Sequence, residues 1–358
     1  PHYCIEKTTQ YFRTSTKKLV LVHYIYGLFA KYDEHVTLEY EQVSDLYENP
    51  HSIIHHHEFR DFRESLFESC NDQIQRLAAP WVLGWTAALT VHRSLSESVG
   101  GFDETFMGWG SEDTDFCYRI YKQGATFLAT KKAYAIHIPH PVEQSADKWE
   151  RNKLNRIKLH RKAYEFETEL YPYFHGPYYI SYLDSLNTMI LSNVLPVYTH
   201  HDLLQLKRFT KEGQNSLLIG TDNNSVIATL DPSHIFILNK AFLSNLSRRF
   251  PNKSIHHYFG VDTPFADAYF AVTIVTDYWR CMDQEILTLF IKECIRISHT
   301  VLFVYTKGYQ SPAAKGGLRW SDETALLTCL TNLPIHVHKT EMQQSIAYTI
   351  TTTKSRYS

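Results

Sequence analysis

The chain has 358 residues, 44% apolar and 21% charged, a balance that allows two domains with cores of their own and excludes a largely disordered chain. Its net charge of −2 gives no electrostatic footing for nucleic-acid or membrane-surface binding. No apolar run reaches the roughly 18 residues of a membrane span, and none of the 6 cysteines forms a C-x-x-C pair, so the expectation is a cytoplasmic protein without a zinc module or disulfide framework.

In chain order, "KKLVLVHYIYGLFA" (17–30) predicts a buried strand closed near Gly27. The histidines of "HSIIHHHEF" (His51, His55, His56, His57) point in different directions in any regular element, so they read as solvated or packed rather than as metal ligands. Residues 58–78 set Phe59, Phe62, Leu66, Phe67, Ile74 and Leu77 at helical spacing. "APWVLGWTAALTVHRS" reads as a strand with a close backbone approach at Gly84. A helix follows, with Ser111 as N-cap, Glu112, Asp113 and Asp115 in its first turn, and Gly124 as its stop. Its apolar stripe is Phe116, Cys117, Ile120 and Tyr121.

A short strand "ATFLAT", the segment "AYAIHIPHP" and a strongly basic helix around "KWERNKLNRIKLHRKAYEFE" come next. Residues 171–180, with Pro, Gly and aromatics, form a candidate boundary. Beyond it, short apolar runs at 216–220, 269–277 and 300–308 alternate with helical segments, as in a parallel, doubly wound sheet. Two α/β domains are expected, over 1–172 and 180–358.

The stretch "GGFDETFMGWGSEDTDFCYRIYKQG" (100–124) concentrates the chemistry. Carboxylates in a first turn are favoured by the helix dipole, and Asp115 can pair with Arg119 four residues on. Glu112 and Asp113 are adjacent and follow Gly-Trp-Gly, where the chain can approach a ligand closely. On the residues alone, a capping role and a functional site both stay open.

"VGGFDETFMGWGSEDTDFCYRIYKQGATF" resembles the C-terminal half of the catalytic domain in GT-A fold nucleotide-sugar glycosyltransferases, of the inverting family-2 and galactosyltransferase-like groups. "WVLGWTAALTVHRSLSE" is similar to the strand and loop ahead of that string, and "AYAIHIPHP" to the metal-binding segment after it. The likeness spans about residues 1–150. It implies that Asp113 is the general base for an acceptor hydroxyl. Glu112 would then hydrogen-bond the acceptor sugar, and Trp109, between Gly108 and Gly110, would stack on it. His137, with His140 as the alternative, would bind a Mn²⁺ or Mg²⁺ ion that neutralises charge on the donor's diphosphate. The same resemblance implies a nucleotide-binding half ending in Asp-x-Asp ahead of this segment. "DTD" (113–115) lies on the base-bearing helix instead, so a truncated chain, or a partner chain carrying that half, is the expectation.

Residues 180–350 resemble a class I S-adenosylmethionine-dependent methyltransferase, by strand order and by "VDTPFADAYFAVTIVTDYWRCM" (261–282). The cofactor signatures are degenerate: "LLIGTDNN" keeps Gly220 alone of a glycine-rich turn, and Asn239 stands where the resemblance implies a ribose-binding acid. The expected function is an inverting glycosyltransferase, or a fragment of one, moving a sugar from a nucleotide-sugar donor to a glycan acceptor in polysaccharide assembly. The alternatives are an S-adenosylmethionine-dependent sugar O-methyltransferase and a non-catalytic glycan-binding or assembly module.

Overall fold

The computed structural model describes residues 2–14, 18–27, 60–137, 145–174, 176–192, 196–309 and 321–351. His51, His55, His56, His57 and His140 lie outside these. The chain divides into two compact units, Pro1–Leu159 with Tyr171–Ser181 and His160–Leu170 with Tyr182–Ser358. Among the described residues no helix is long and apolar enough to cross a membrane.

The first unit is built on a three-stranded sheet. Strand β1 (Leu19–Tyr26) lies between β2 (Leu89–Val91), antiparallel, and β3 (Thr126–Ile136), parallel. All 8 residues of β1 are buried, which is why "LVLVHYIY" shows no polar alternation. Helix α1 (His2–Thr14) meets β3 through Tyr11, whose hydroxyl lies 2.9 Å from Thr130 Oγ1. The β1–β3 register slips after His23, and the imidazole fills the irregularity: Nδ1 lies 2.9 Å from the Ala133 carbonyl and Nε2 2.8 Å from Thr90 Oγ1. A carbonyl only accepts, so Nδ1 carries the proton and Nε2 accepts from the Thr90 hydroxyl. Burial lowers the His23 pKa and keeps the ring neutral.

Two sequence expectations change here. The helical spacing over 58–78 yields only a short α2 (Glu64–Ser69) and a 3₁₀ turn (Ile74–Arg76), because Asn71 and Asp72 adopt φ of +51° and +61° between them. "PWVL" (80–83) is a 3₁₀ turn, and the strand begins only at Leu89. Trp81 in that turn is wholly buried and meets Tyr118 and Tyr171 edge-on, at 4.9 and 5.4 Å between centroids. The close approach expected at Gly84 is present: a Cβ there would sit 2.4 Å from Cys117 Sγ.

Short helix α3 (Arg93–Ser98) leads to α4 (Glu112–Lys122), which buries Phe116, Cys117 and Ile120. Gly124 follows its end at φ +77°, as expected of a helix stop. Beyond β3 come α5 (Ala146–Ala163), α6 (Phe166–Glu169) and α7 (Gly176–Ser192).

The second unit carries a seven-stranded sheet, preceded by α8 (His200–Lys207). Strands β4 (Ser216–Ile219), β5 (His234–Ile237), β6 (Ser254–His257), β7 (Phe270–Val275) and β8 (Ser298–Thr306) are parallel. Helices α9 (Asn224–Leu230), α10 (Leu243–Arg249) and α11 (Gln284–Ile297) separate them in sequence. After α12 (Glu323–Thr331) the chain makes a hairpin of β9 (His336–Glu341) and β10 (Ser345–Thr351), and β10 inserts antiparallel beside β8. The order β6-β5-β4-β7-β8-β10-β9 makes this the doubly wound α/β sheet that the sequence predicts. Its core joins Leu218, Ile235, Ile274 and Leu302 to Leu203 and Val226.

A buried carboxylate fastens α6 to this unit. Glu169 accepts the N–H groups of Phe259, Gly260 and Val261 at 2.6, 2.7 and 2.9 Å. Burial pushes its pKa up, against the pull of those donors. Replacing Glu169 with Gln points an amide N–H₂ at these donors. The expected loss is about 3 kcal/mol of unfolding free energy, and an unchanged urea midpoint would refute this fastening role.

Candidate active site

Helix α4 is preceded by a loop with an unusual backbone: Gly108, Gly110 and Ser111 have φ of +79°, +98° and +73°. Gly110 has to be glycine for a second reason, since a Cβ would stand 2.0 Å from Asn152 Nδ2. Ser111 does not cap the helix as expected: in the left-handed region its side chain makes no bond to the first-turn N–H groups. It lies instead by the Tyr171 hydroxyl, which also meets Thr114. A serine held at positive φ is mild strain beside the two carboxylates.

Asp113 is half-buried. Its Oδ1 accepts from Thr114 N at 2.7 Å and from Thr114 Oγ1 at 3.3 Å, while Thr86 N points at Oδ2 from 3.4 Å. Burial and the neighbouring Glu112 charge push its pKa up to about 6. Glu112 Oε2 is sheltered from solvent and, among the described residues, has no hydrogen-bond partner. Asp115 is buried and pairs with Arg119 at 2.8 Å, as the spacing predicts. The same guanidinium donates to the carbonyls of Val99 and, at 2.8 Å, Gly101. Asp115 therefore anchors the glycine turn through Arg119, and Glu112 and Asp113 take no part in that pairing.

Helix α5 explains its own basic composition. Asn155 Nδ2 donates to Met107 O at 3.1 Å and Gly110 O at 2.9 Å, and Lys158 donates to Thr105 O. Arg151 packs where a Gly108 side chain would begin. Positions 148, 151, 152, 155 and 158 share one helical face, so this face supplies the N–H donors that the open carbonyls of the 105–110 loop require. Trp109 is 47% exposed, with Lys148 Nζ 4.2 Å over its ring and Trp149 edge-on at 5.7 Å. Asn152, Asn155 and Thr86 were not singled out by the sequence. The i, i+3 asparagines in a helix otherwise rich in Lys and Arg were the available signal, and for Thr86 there was none.

His137 directly follows β3, its N–H donating to Tyr26 O at 2.8 Å. Among the described residues no three His, Cys, Asp or Glu side chains converge on a metal position. They do not assemble a site for Mn²⁺ or Mg²⁺ around His137, and no step is routed through such an ion.

In the second unit, Gly220 and Asn239 both line a cavity of about 390 Å³ at the carboxyl ends of β4 and β5. A Cβ on Gly220 would meet Tyr278 Cβ at 2.1 Å, so the glycine answers to the buried tyrosine rather than to a cofactor. Asn239 Oδ1 accepts from Ala241 N at 3.0 Å, and Asn223 Oδ1 caps α9. Asp277 is likewise consumed, by Tyr198 OH, Thr306 N and Thr306 Oγ1. These groups do not fit S-adenosylmethionine, and no step is derived through it.

A glycine-turn loop, an exposed tryptophan and two adjacent carboxylates thus meet at one helix start. Residues 82–141, which hold it, match the family described as the N-terminal domain of galactosyltransferase. The chain thus joins a segment similar to that family to a doubly wound α/β unit. Validoxylamine A glucosyltransferase of Streptomyces hygroscopicus is 33% identical over 89 residues, 25% of this chain and 21% of that protein. Chondroitin synthase of Escherichia coli is 40% identical over 47 residues, 13% of this chain and 7% of that protein. The chain thus spans about a fifth or less of the length of these curated relatives. A solved S-adenosylmethionine-dependent methyltransferase of Aquifex aeolicus aligns at a TM-score of 0.32 and 14% identity, over 41% of this chain and 86% of that one.

Proposed function

We propose that the first unit is the acceptor side of an inverting glycosyltransferase that uses a nucleotide-sugar donor. The observation that carries this reading is Asp113, a half-buried carboxylate with a pKa near about 6 beside Glu112, whose Oε2 has no hydrogen-bond partner among the described residues. At neutral pH such a group is ionised yet more basic than an exposed aspartate, which suits it to accept a proton. Asp113 takes the proton of an acceptor hydroxyl. The oxygen forms a bond to the anomeric carbon, the bond from that carbon to the diphosphate oxygen breaks, and the nucleoside diphosphate leaves with the electron pair. Glu112 accepts a second hydroxyl of the acceptor and orients it, and Trp109 offers ring surface to the sugar. The second unit has no chemical part in this reading.

The test follows nucleoside diphosphate release from UDP-, GDP- and dTDP-sugars, with mono- and oligosaccharide acceptors. Acceptor-dependent release with at least one donor is expected. No release above the Asp113→Asn variant with any donor would overturn the reading.

A further inference from the structure

Lys148 stands where neither its helix nor its surroundings favour a cation. It lies in the first turn of α5, where the helix dipole favours anions. It is only 8% exposed, although lysines are almost never so buried unless paired. Among the described residues its ammonium meets no carboxylate; its partner is the Trp109 ring, 4.2 Å from Nζ to centroid. A compact point charge over a neutral ring keeps its capacity for an anion.

The face of α5 that carries Lys148 is fixed to the loop of the candidate site. Asn152 abuts Gly110, where a Cβ would stand 2.0 Å from Nδ2, and Asn155 donates to the Gly110 carbonyl at 2.9 Å. Lys148 precedes them by four and seven residues, so all three share that face. From Trp109 to Glu112 the chain runs three residues, a span of at most about 11 Å. The ammonium, the exposed indole and the carboxylate pair are therefore close enough for one small ligand.

Each group restricts what can bind. Trp109, 47% exposed, takes the C–H face of a sugar ring. Glu112 and Asp113 accept hydroxyls and repel a diphosphate, which excludes the nucleotide end of a donor. Lys148 adds one cation, which a neutral sugar leaves without an anion and a single acidic substituent pairs with. A pyranose carrying one acidic group satisfies all three.

We propose that Lys148 selects the acceptor, and that the sugar stacked on Trp109 is an acidic pyranose, bearing a carboxylate or a sulfate ester. This rests on the acceptor-side reading above and gives it a substrate class. The experiment titrates the full chain with methyl glucoside, its sulfate ester and methyl glucuronide by tryptophan fluorescence, without donor, at low and high salt.

At least one acidic glycoside is expected to bind about 10-fold more tightly than the neutral one, the usual worth of a charge-assisted hydrogen bond. The tighter of the two names the acid. Salt should erode the gain. Lys148→Gln is expected to abolish it and leave neutral binding unchanged, and Lys148→Arg to keep it. Equal affinity for neutral and acidic glycosides would overturn the proposal, as would no binding of any of the three. So would a Lys148→Gln loss that is the same for neutral and acidic glycosides. Binding is read without transfer, so the two readings fail separately: acid preference in a chain that releases no nucleoside diphosphate sinks the transfer reading alone.

Discussion

Asp113→Asn is expected to cut sugar transfer by about 10² to 10⁴-fold, the usual contribution of a positioned general base. Asparagine keeps the shape and the acceptor oxygen but cannot take the hydroxyl proton. The wild-type pH profile follows from the same group. A base works unprotonated, so kcat/KM should fall as pH drops through about 6 and stay level above it. Stability runs the other way. The folded pKa lies above the ordinary value of 3.8, so the folded state binds the proton more tightly. That stabilisation is present below 3.8 and is lost as pH rises through about 6. Asp113→Asn should therefore unfold no more easily than wild type at pH 7.5. A flat rate profile between pH 5 and 8 would remove Asp113 from the base role.

Asp61→Asn is expected to lower unfolding free energy by about 3–5 kcal/mol, because it leaves a buried guanidinium without its counter-charge. Both side chains are fully buried. Asp61 also accepts Ile25 N at 2.9 Å, and Arg63 reaches the carbonyls of Leu83 and His23 at 2.7 and 2.9 Å. One ion pair thus ties β1 to the turn that carries Trp81 and Trp85. The partly exposed pair of Lys131 and Glu64, at 2.6 Å, is the control. Lys131→Ala should change stability by less than about 1 kcal/mol. Urea unfolding followed by tryptophan fluorescence measures both, and equal shifts for the two variants would contradict the argument.

Much of the fold was legible because burial leaves a pattern. The apolar runs at β4, β7 and β8 are buried on both faces, and the 3.6-residue period of α4 buries Phe116, Cys117 and Ile120. Edge strand β6, with its two histidines and no long apolar run, went unread, as did the hairpin of β9 and β10. Residues 58–78 misled, since helical spacing says nothing of two consecutive left-handed residues at Asn71 and Asp72.

The candidate site divides the same way. "GWGSED" placed Trp109, Glu112 and Asp113 together because they are neighbours in the chain, and Arg119 completed a pair four residues from Asp115. By itself the sequence determined these local facts: a glycine loop, two adjacent carboxylates, a helix after them and a doubly wound sheet downstream. Tertiary structure alone decided which carboxylate titrates near about 6, because burial and the Glu112 field depend on what packs around Asp113. It also decided that α5 clamps the loop through Asn155, and that Lys148 lies over Trp109. Those contacts join residues some 20 to 50 positions apart, and no local period records a partner at that distance.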